Sequence, residues 1–217
     1  MKTALLSAAS VVIVCCTASA SADESMPQPA WYEQRVLTSD FAFSAYATNE
    51  EQDRFSVQAI RIIDRKTGRV VQEIAGIDGM PGWGEAGRLV GVVDANFDGR
   101  PDITFQYADG GAGPNVTYHF YLFNPRSGRF EFDPVLSDLT QVGIGRDGTI
   151  TSASRGGCCQ HYSATYRYFG GKLLVIAEEE EHYTADGKWI VTTTGRMVNG
   201  KWKTGSKRVR NSDAWGE

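Results

Sequence analysis

The sequence lacks the motifs on which most hydrolases, kinases and metalloenzymes are built. It contains no G-x-S-x-G, P-loop or H-E-x-x-H pattern. Its three histidines, His119, His161 and His182, stand outside any metal-ligand pair or nucleophile motif. Acidic residues are plentiful, as in any β protein, and leave open a hydrolase acting on cell-wall sugar, although no catalytic constellation stands out. We therefore expect a protein that is not an enzyme.

An excess of positive charge is also missing. The 217 residues include 22 Lys and Arg against 26 Asp and Glu, which gives a formal net charge of −4. Because nucleic-acid binding depends on clustered Lys and Arg, we expect no nucleic-acid partner. The hydrophobic content of 41% excludes a disordered chain, and the length allows one domain or two small ones.

Long apolar runs are absent except at the N-terminus. Lys2 is followed by an apolar stretch over Ala4–Val14 and by the small-residue cleavage patterns within Ala18–Ala22. This stretch is too short to span a membrane, and the residues before Cys15 lack the small side chains of a lipoprotein signal. We predict that residues 1–22 are a signal peptide, that the protein is exported to the periplasm, and that the mature chain has no membrane partner.

Helical periodicity is missing from every segment of ten or more residues. Short alternating runs are instead separated by turn residues, among them Asp186-Gly187 and Asn199-Gly200, which are strong hairpin signals. We predict an all-β fold of antiparallel hairpins in a small propeller-like or sandwich arrangement. Residues 23–40 are predicted as an N-terminal arm, residues 41–217 as a single domain, and Val135–Leu139 as a short helical turn.

The most specific motif is an acidic loop with the spacing D-x-N-x-D-G-x-x-D. Gly99 permits a sharp turn that folds the oxygen donors inward, and that set of hard oxygens suits Ca²⁺ better than Mg²⁺. The predicted ligands are Asp94, Asn96, Asp98, the carbonyl of Arg100, and Asp102. An EF-hand would need an acid where Phe105 stands, so the loop is similar instead to the strand-loop-strand calcium loops of FG-GAP and integrin-propeller proteins. The alternative is an acidic turn without a metal, in which the carboxylates repel one another.

Cys158 and Cys159 are the cysteines left once the signal peptide is removed. In an oxidising compartment two thiols of one chain usually pair. Adjacent cysteines can bond only to each other, through a strained eight-membered ring, or to another chain, and Gly156-Gly157 would ease the unusual backbone of the ring. We predict a vicinal disulfide, with two free buried thiols as the alternative.

A glycine-rich loop follows the strand that leaves the acidic loop, over Asp109–Tyr118. Such loops on a rigid β scaffold often carry recognition, although a plain turn is an equal alternative. The predicted partner-binding residues are Gly113, Asn115, Thr117 and Tyr118. The alternative for Tyr118 is a core position, because an alternating strand could direct its ring into the core.

Four segments together resemble a family of bacterial periplasmic proteins. They are Val92–Asp102, the glycine-rich loop to Tyr118, Tyr121–Pro125 with Ser127-Gly128, and Gly157–His161 before Tyr166. Known members are immunity proteins of a bacteria-killing type IV secretion system, which bind and inhibit lysozyme-like peptidoglycan hydrolase effectors. The resemblance covers roughly residues 88–180.

The resemblance implies a calcium-binding, propeller-like protein that inhibits a lysozyme-like hydrolase, with functional likeness to periplasmic i-type lysozyme inhibitors. Those inhibitors use a loop of pattern S-G-x-x-Y. Here Pro114–Tyr118 keeps the tyrosine but has proline and asparagine in place of serine and glycine. We expect a periplasmic immunity protein with a structural Ca²⁺. The alternative is a calcium-dependent adhesion or glycan-binding module of the cell envelope.

Overall fold

The computed structural model describes residues 27–51, 53–110, 115–157 and 159–212. These residues form fifteen strands in three antiparallel sheets, so the predicted all-β fold of antiparallel hairpins is confirmed, in a sandwich arrangement. The signal peptide predicted for residues 1–22 lies outside the described residues. Within them, no helix has the length and apolar character needed to cross a membrane.

The first sheet, called here the N-terminal sheet, has its main strands in chain order. They are β1 Ala30–Leu37, β2 Phe41–Glu51, β3 Arg54–Asp64 and β4 Val70–Ala75, with the two-residue β5 Gly82–Trp83 paired to β3. β1 lies in the segment predicted as an N-terminal arm, yet it pairs antiparallel with β2. Tyr32 and Val36 explain this difference, because both side chains pack against a buried core that the arm would leave uncovered.

The middle sheet contains four strands and follows a short 3₁₀ helix at Ala86–Arg88. They are β6 Gly91–Val93, β7 Asp102–Gly110, β8 Asn115–Asn124 and β9 Arg129–Phe132. A single helical turn, α1 Pro134–Ser137, then lies at the place where the sequence predicted one. Asp133 caps it, since its Oδ1 accepts a hydrogen bond of 2.9 Å from the backbone N–H of Leu136.

The C-terminal sheet is a six-stranded meander. Its strands are β10 Gly143–Ile144, β11 Ile150–Arg155, β12 Gln160–Phe169, β13 Lys172–Tyr183, β14 Trp189–Val198 and β15 Lys201–Arg210. Asn199 and Gly200 connect the last two strands with φ angles of 51° and 73°. Both values are positive, as the hairpin signal in the sequence requires.

The middle sheet contributes to two separate hydrophobic cores. On one face Phe105, Tyr121 and Phe123 pack with the N-terminal sheet in the first core. On the other face Phe120 packs with Ile150 of the C-terminal sheet in the second core. The alternation along β8 therefore sends successive side chains to different cores, and the molecule is a stack of three sheets.

The last hairpin, β14 with β15, lies beyond these cores. Every residue of β15 is exposed, and the substantial contacts of β14 and β15 are with strands of their own sheet. From Trp189 to Arg210 the sequence contains six Lys and Arg residues and no Asp or Glu. A mildly acidic protein therefore carries a strongly basic hairpin, in which β15 is exposed along its whole length.

Candidate functional site: the acidic loop and the glycine-rich loop

The acidic loop joins β6 to β7, in the strand-loop-strand arrangement that the sequence predicted. Gly99 and Phe97 have positive φ angles of 81° and 60°. Only glycine adopts this conformation without strain, so the position of Gly99 has a direct backbone reason. Phe97 has a positive φ although it is not glycine, and its ring packs against the second core.

Side-chain oxygens of this loop accept hydrogen bonds from its own backbone. The two carboxylate oxygens of Asp94 accept from the N–H groups of Asp98 and Gly99, at 3.0 and 2.9 Å. Asn96 Oδ1 also accepts from Asp98, at 3.0 Å, and Asp98 Oδ1 accepts from Arg100 at 2.9 Å. The loop is therefore held in one shape by hydrogen bonds that three of the predicted ligands accept from its backbone.

Asp102, the last predicted ligand, is completely buried. Its Oδ2 accepts a hydrogen bond of 2.9 Å from Ala95, and its Oδ1 accepts one of 2.8 Å from Phe123. The pKa of this carboxyl is raised to about 6, mainly by burial and to a smaller extent by the nearby Asp98 and Asp94, while the two backbone N–H groups oppose the shift. The carboxylate therefore ties the acidic loop to β8, at an electrostatic cost that no salt bridge among the described residues offsets.

The chemistry of the donors fits Ca²⁺, since the loop combines carboxylate, amide and carbonyl oxygens within nine residues. The described residues contain no group of three or more His, Cys, Asp and Glu side chains assembled as a metal site. Both oxygens of Asp102 and both oxygens of Asp94 accept hydrogen bonds from backbone N–H groups. Calcium binding by Asp94, Asn96, Asp98, Arg100 and Asp102 stays a prediction.

The glycine-rich loop, Asp109–Tyr118, includes the end of β7 at Gly110 and the start of β8 at Asn115. Residues 111–114, which include the predicted contact Gly113, lie outside the described residues. Asn115 closes the loop by pairing with Gly110 across the hairpin. Thr117 Oγ1 donates a hydrogen bond of 3.5 Å to the carbonyl of Ala108, so both residues belong to the base of the loop.

Tyr118 is half-buried and packs against the second core. Its ring also borders a cavity of about 270 Å³, together with Gly82 and Gln106. Tyr118 is therefore neither a fully buried core residue nor a fully exposed one, because it packs against the second core and is still partly accessible to solvent.

Asn115 makes contacts that sequence analysis missed. Its Nδ2 donates a hydrogen bond of 2.8 Å to the carbonyl of Arg155, and its Oδ1 accepts one of 2.8 Å from the N–H of Arg155. The side-chain amide thereby makes the same two hydrogen bonds to Arg155 that the backbone of a neighbouring antiparallel strand would make. These bonds join the middle sheet to the C-terminal sheet. Forty positions separate the two residues, so no local pattern could have indicated the contact.

The vicinal disulfide remains a prediction, because Cys158 lies outside the described residues. Gly157, the residue before it, has a positive φ of 75°. A non-reduced mass measurement would establish the bond through the loss of two hydrogens.

No family model matches the chain, and no curated protein matches it at a significant level. Among solved structures, the fold is similar to that of a Xanthomonas protein described as related to the type IV secretion system. The TM-score is 0.56 with 19% sequence identity, and the match covers 84% of this chain and 100% of the Xanthomonas chain. At that identity the similarity shows the fold alone.

Proposed function

We propose that this protein is a periplasmic immunity protein that binds and inhibits a lysozyme-like peptidoglycan hydrolase effector of a type IV secretion system. The carrying observation is that its fold matches a type IV secretion system related protein over the whole length of that chain. The resemblance of the acidic loop, the Asn-Pro turn and the paired cysteines to immunity proteins of such a system supports the same assignment. The protein acts by binding and has no catalytic role.

The partner contacts the surface formed by the glycine-rich loop and the residues at its base. The hydrogen bonds of Asn115 to Arg155 fix the base on two sheets, so the loop is presented from a rigid support. A base that is held in place before binding loses less conformational entropy when the partner docks on it. Tyr118 offers a ring with a polar tip, which is a common type of interface anchor.

In this proposal Ca²⁺ has a structural role. Asp94, Asn96, Asp98, the carbonyl of Arg100 and Asp102 would hold it. Its charge would neutralise Asp94 and Asp98, whose negative charges raise the pKa of Asp102. The loop also reaches β8 through Phe123. Calcium would therefore stabilise the strand that begins at the partner-binding surface.

Turbidity of a peptidoglycan suspension tests the proposed function directly. The mature protein is titrated into a panel of lysozyme-like hydrolases, which includes c-, g- and i-type lysozymes and lysozyme-like effectors of type IV secretion systems. We expect stoichiometric loss of lysis with at least one member and no lysis by the protein alone. The proposal is wrong if no hydrolase is inhibited, and binding to peptidoglycan without inhibition would support the adhesion alternative.

Replacement of Tyr118 by alanine is expected to affect both stability and inhibition. Because the half-buried ring packs on the second core, its loss should lower the free energy of unfolding by about 2 kcal/mol. As an interface anchor, it should also weaken inhibition about 30-fold or more, the scale of a hot spot. Urea denaturation and inhibition titrations on the same sample measure the two effects.

Tyr118→Phe is the matched control, since it keeps the ring and removes only the hydroxyl. It should retain the stability of the wild type and reveal how much inhibition depends on the hydroxyl. A folded Tyr118→Ala protein that inhibits as well as the wild type would exclude Tyr118 as a partner contact.

A further inference from the structure

The outer face of the C-terminal sheet, which is turned away from the second core, carries mostly small side chains. Two rows of paired residues cross strands β11 to β15 on this face: Thr151, Thr165, Ala177, Arg196 and Lys203 in one, and Ala153, Ser163, Glu179, Thr194 and Gly205 in the other. Seven of these ten residues are Ala, Gly, Ser or Thr. The small side chains leave a concave cavity of about 740 Å³ above the sheet.

This cavity continues into a second one of about 280 Å³, which shares Gln141, Ala153, Ser163 and Glu179 with it. The second cavity extends to the next row of the sheet, at Arg155, His161 and Glu181. We call the two together the outer groove. Five strands spaced by ~4.8 Å give it a width of about 19 Å, the length of about six extended residues.

The charged residues of the outer groove are arranged in two poles. Arg196 lies directly opposite Lys203 on the same face, a pairing of like charges that destabilises a sheet. Neither of them forms a salt bridge among the described residues. On β13, Glu179 and Glu181 give the groove a negative pole. An incoming segment would neutralise the charges at both poles if it placed an acidic side chain over the positive pole and a basic side chain over the negative pole.

The outer groove ends at the base of the glycine-rich loop. Arg155, which lines the groove, is the residue held by the side chain of Asn115. Gln141, on the wall of both cavities, donates hydrogen bonds to Ala153 at 3.1 Å and to Asn115 at 3.5 Å. Its positive φ of 49° is a strained conformation for glutamine, which these contacts maintain. A protein that engages the loop is thus brought next to the groove.

We infer that the outer groove is the second docking site of the inhibited hydrolase and binds an extended segment of that enzyme with acidic and basic side chains. The inference rests on the proposed function, since it takes the same partner. Asn115 at the base of the loop is hydrogen-bonded to Arg155 of the groove, so binding at one site raises the effective concentration of the partner at the other.

The test is a charge reversal at the positive pole, Arg196→Glu with Lys203→Glu, in the full mature protein. Inhibition constants are measured against the hydrolase that the turbidity panel identifies. We expect inhibition to weaken at least 10-fold, because an acidic segment would meet like charges. The matched control is Arg208→Glu with Arg210→Glu, the same charge change on the opposite face of β15, which should alter inhibition less than about 2-fold.

A second variant, Ser163→Trp, fills the groove without a change in charge. Ser163 is exposed in the middle of the cavity, so the variant should fold with an unchanged melting temperature and also lose at least 10-fold in inhibition. If the wild type inhibits and both groove variants inhibit equally well, the groove is not a docking site and the proposed function stands. If the wild type inhibits no hydrolase, both the proposed function and the docking groove are wrong.

Discussion

Asp102→Ala is expected to lower the free energy of unfolding by about 3 kcal/mol. The substitution leaves the N–H groups of Ala95 and Phe123 without their acceptor. Each unsatisfied buried N–H costs about 1–3 kcal/mol. Removal of a buried carboxylate with a raised pKa returns part of this cost, which is why the full sum is not expected.

Chemical denaturation in excess chelator measures this effect separately from any bound metal. Asp102→Asn keeps one oxygen and should lose about half as much stability. Asp98→Ala is the matched control in the same loop, because Asp98 is exposed and its hydrogen bond with Arg100 is open to solvent. An unfolding free energy of Asp102→Ala within about 0.5 kcal/mol of the wild type would contradict the structural role of this carboxylate.

Calcium is expected to raise the melting temperature by about 5–10 °C. At a free concentration about 100 times the dissociation constant, a ligand that binds only the folded state adds ~2.7 kcal/mol. For a chain of this size, each kcal/mol corresponds to about 2–4 °C. The physical source is the neutralisation of Asp94, Asp98 and Asp102, whose mutual repulsion is part of the raised pKa of Asp102.

Thermal melts in chelator and in millimolar calcium, with equal magnesium as the comparison, test this prediction. Asp94→Ala should melt at the same temperature in both solutions, since it removes a predicted ligand whose oxygens accept from two loop amides. Identical melting curves of the wild-type protein with and without calcium would refute the calcium site and leave an acidic turn held by hydrogen bonds.

Much of the fold could be predicted because hairpins are encoded locally. Asn199, Gly200 and Gly187 have positive φ angles, which few residue types adopt without strain, and the strands around them alternate with a period of two. The strand at Ala30–Leu37 was missed for the converse reason. Its partner β2 and the core under Tyr32 lie elsewhere in the chain, and an N-terminal segment with prolines gives no local sign of either.

The candidate site divides in the same way. The spacing from Asp94 to Asp102 predicted a strand-loop-strand with inward-directed oxygens, since ligands and turn are neighbours in sequence. The burial of Asp102 depends on Phe123 and could not be read from the loop. Likewise, nothing within the run Glu178–Glu181 distinguishes one glutamate from the next, whereas the sheet register places Glu179 and Glu181 on the face of the outer groove.

The all-β class, most of the hairpins, and the positions of the acidic and glycine-rich loops follow from local sequence, because each depends on the conformational preferences of adjacent residues. Three features depend instead on long-range packing: which sheets lie against each other, the contribution of β8 to two cores, and the hydrogen bonds between Asn115 and Arg155. The tertiary structure also created the outer groove, whose residues come from five strands. Contacts between distant segments depend on how complementary surfaces fill space, and no window of sequence contains both surfaces.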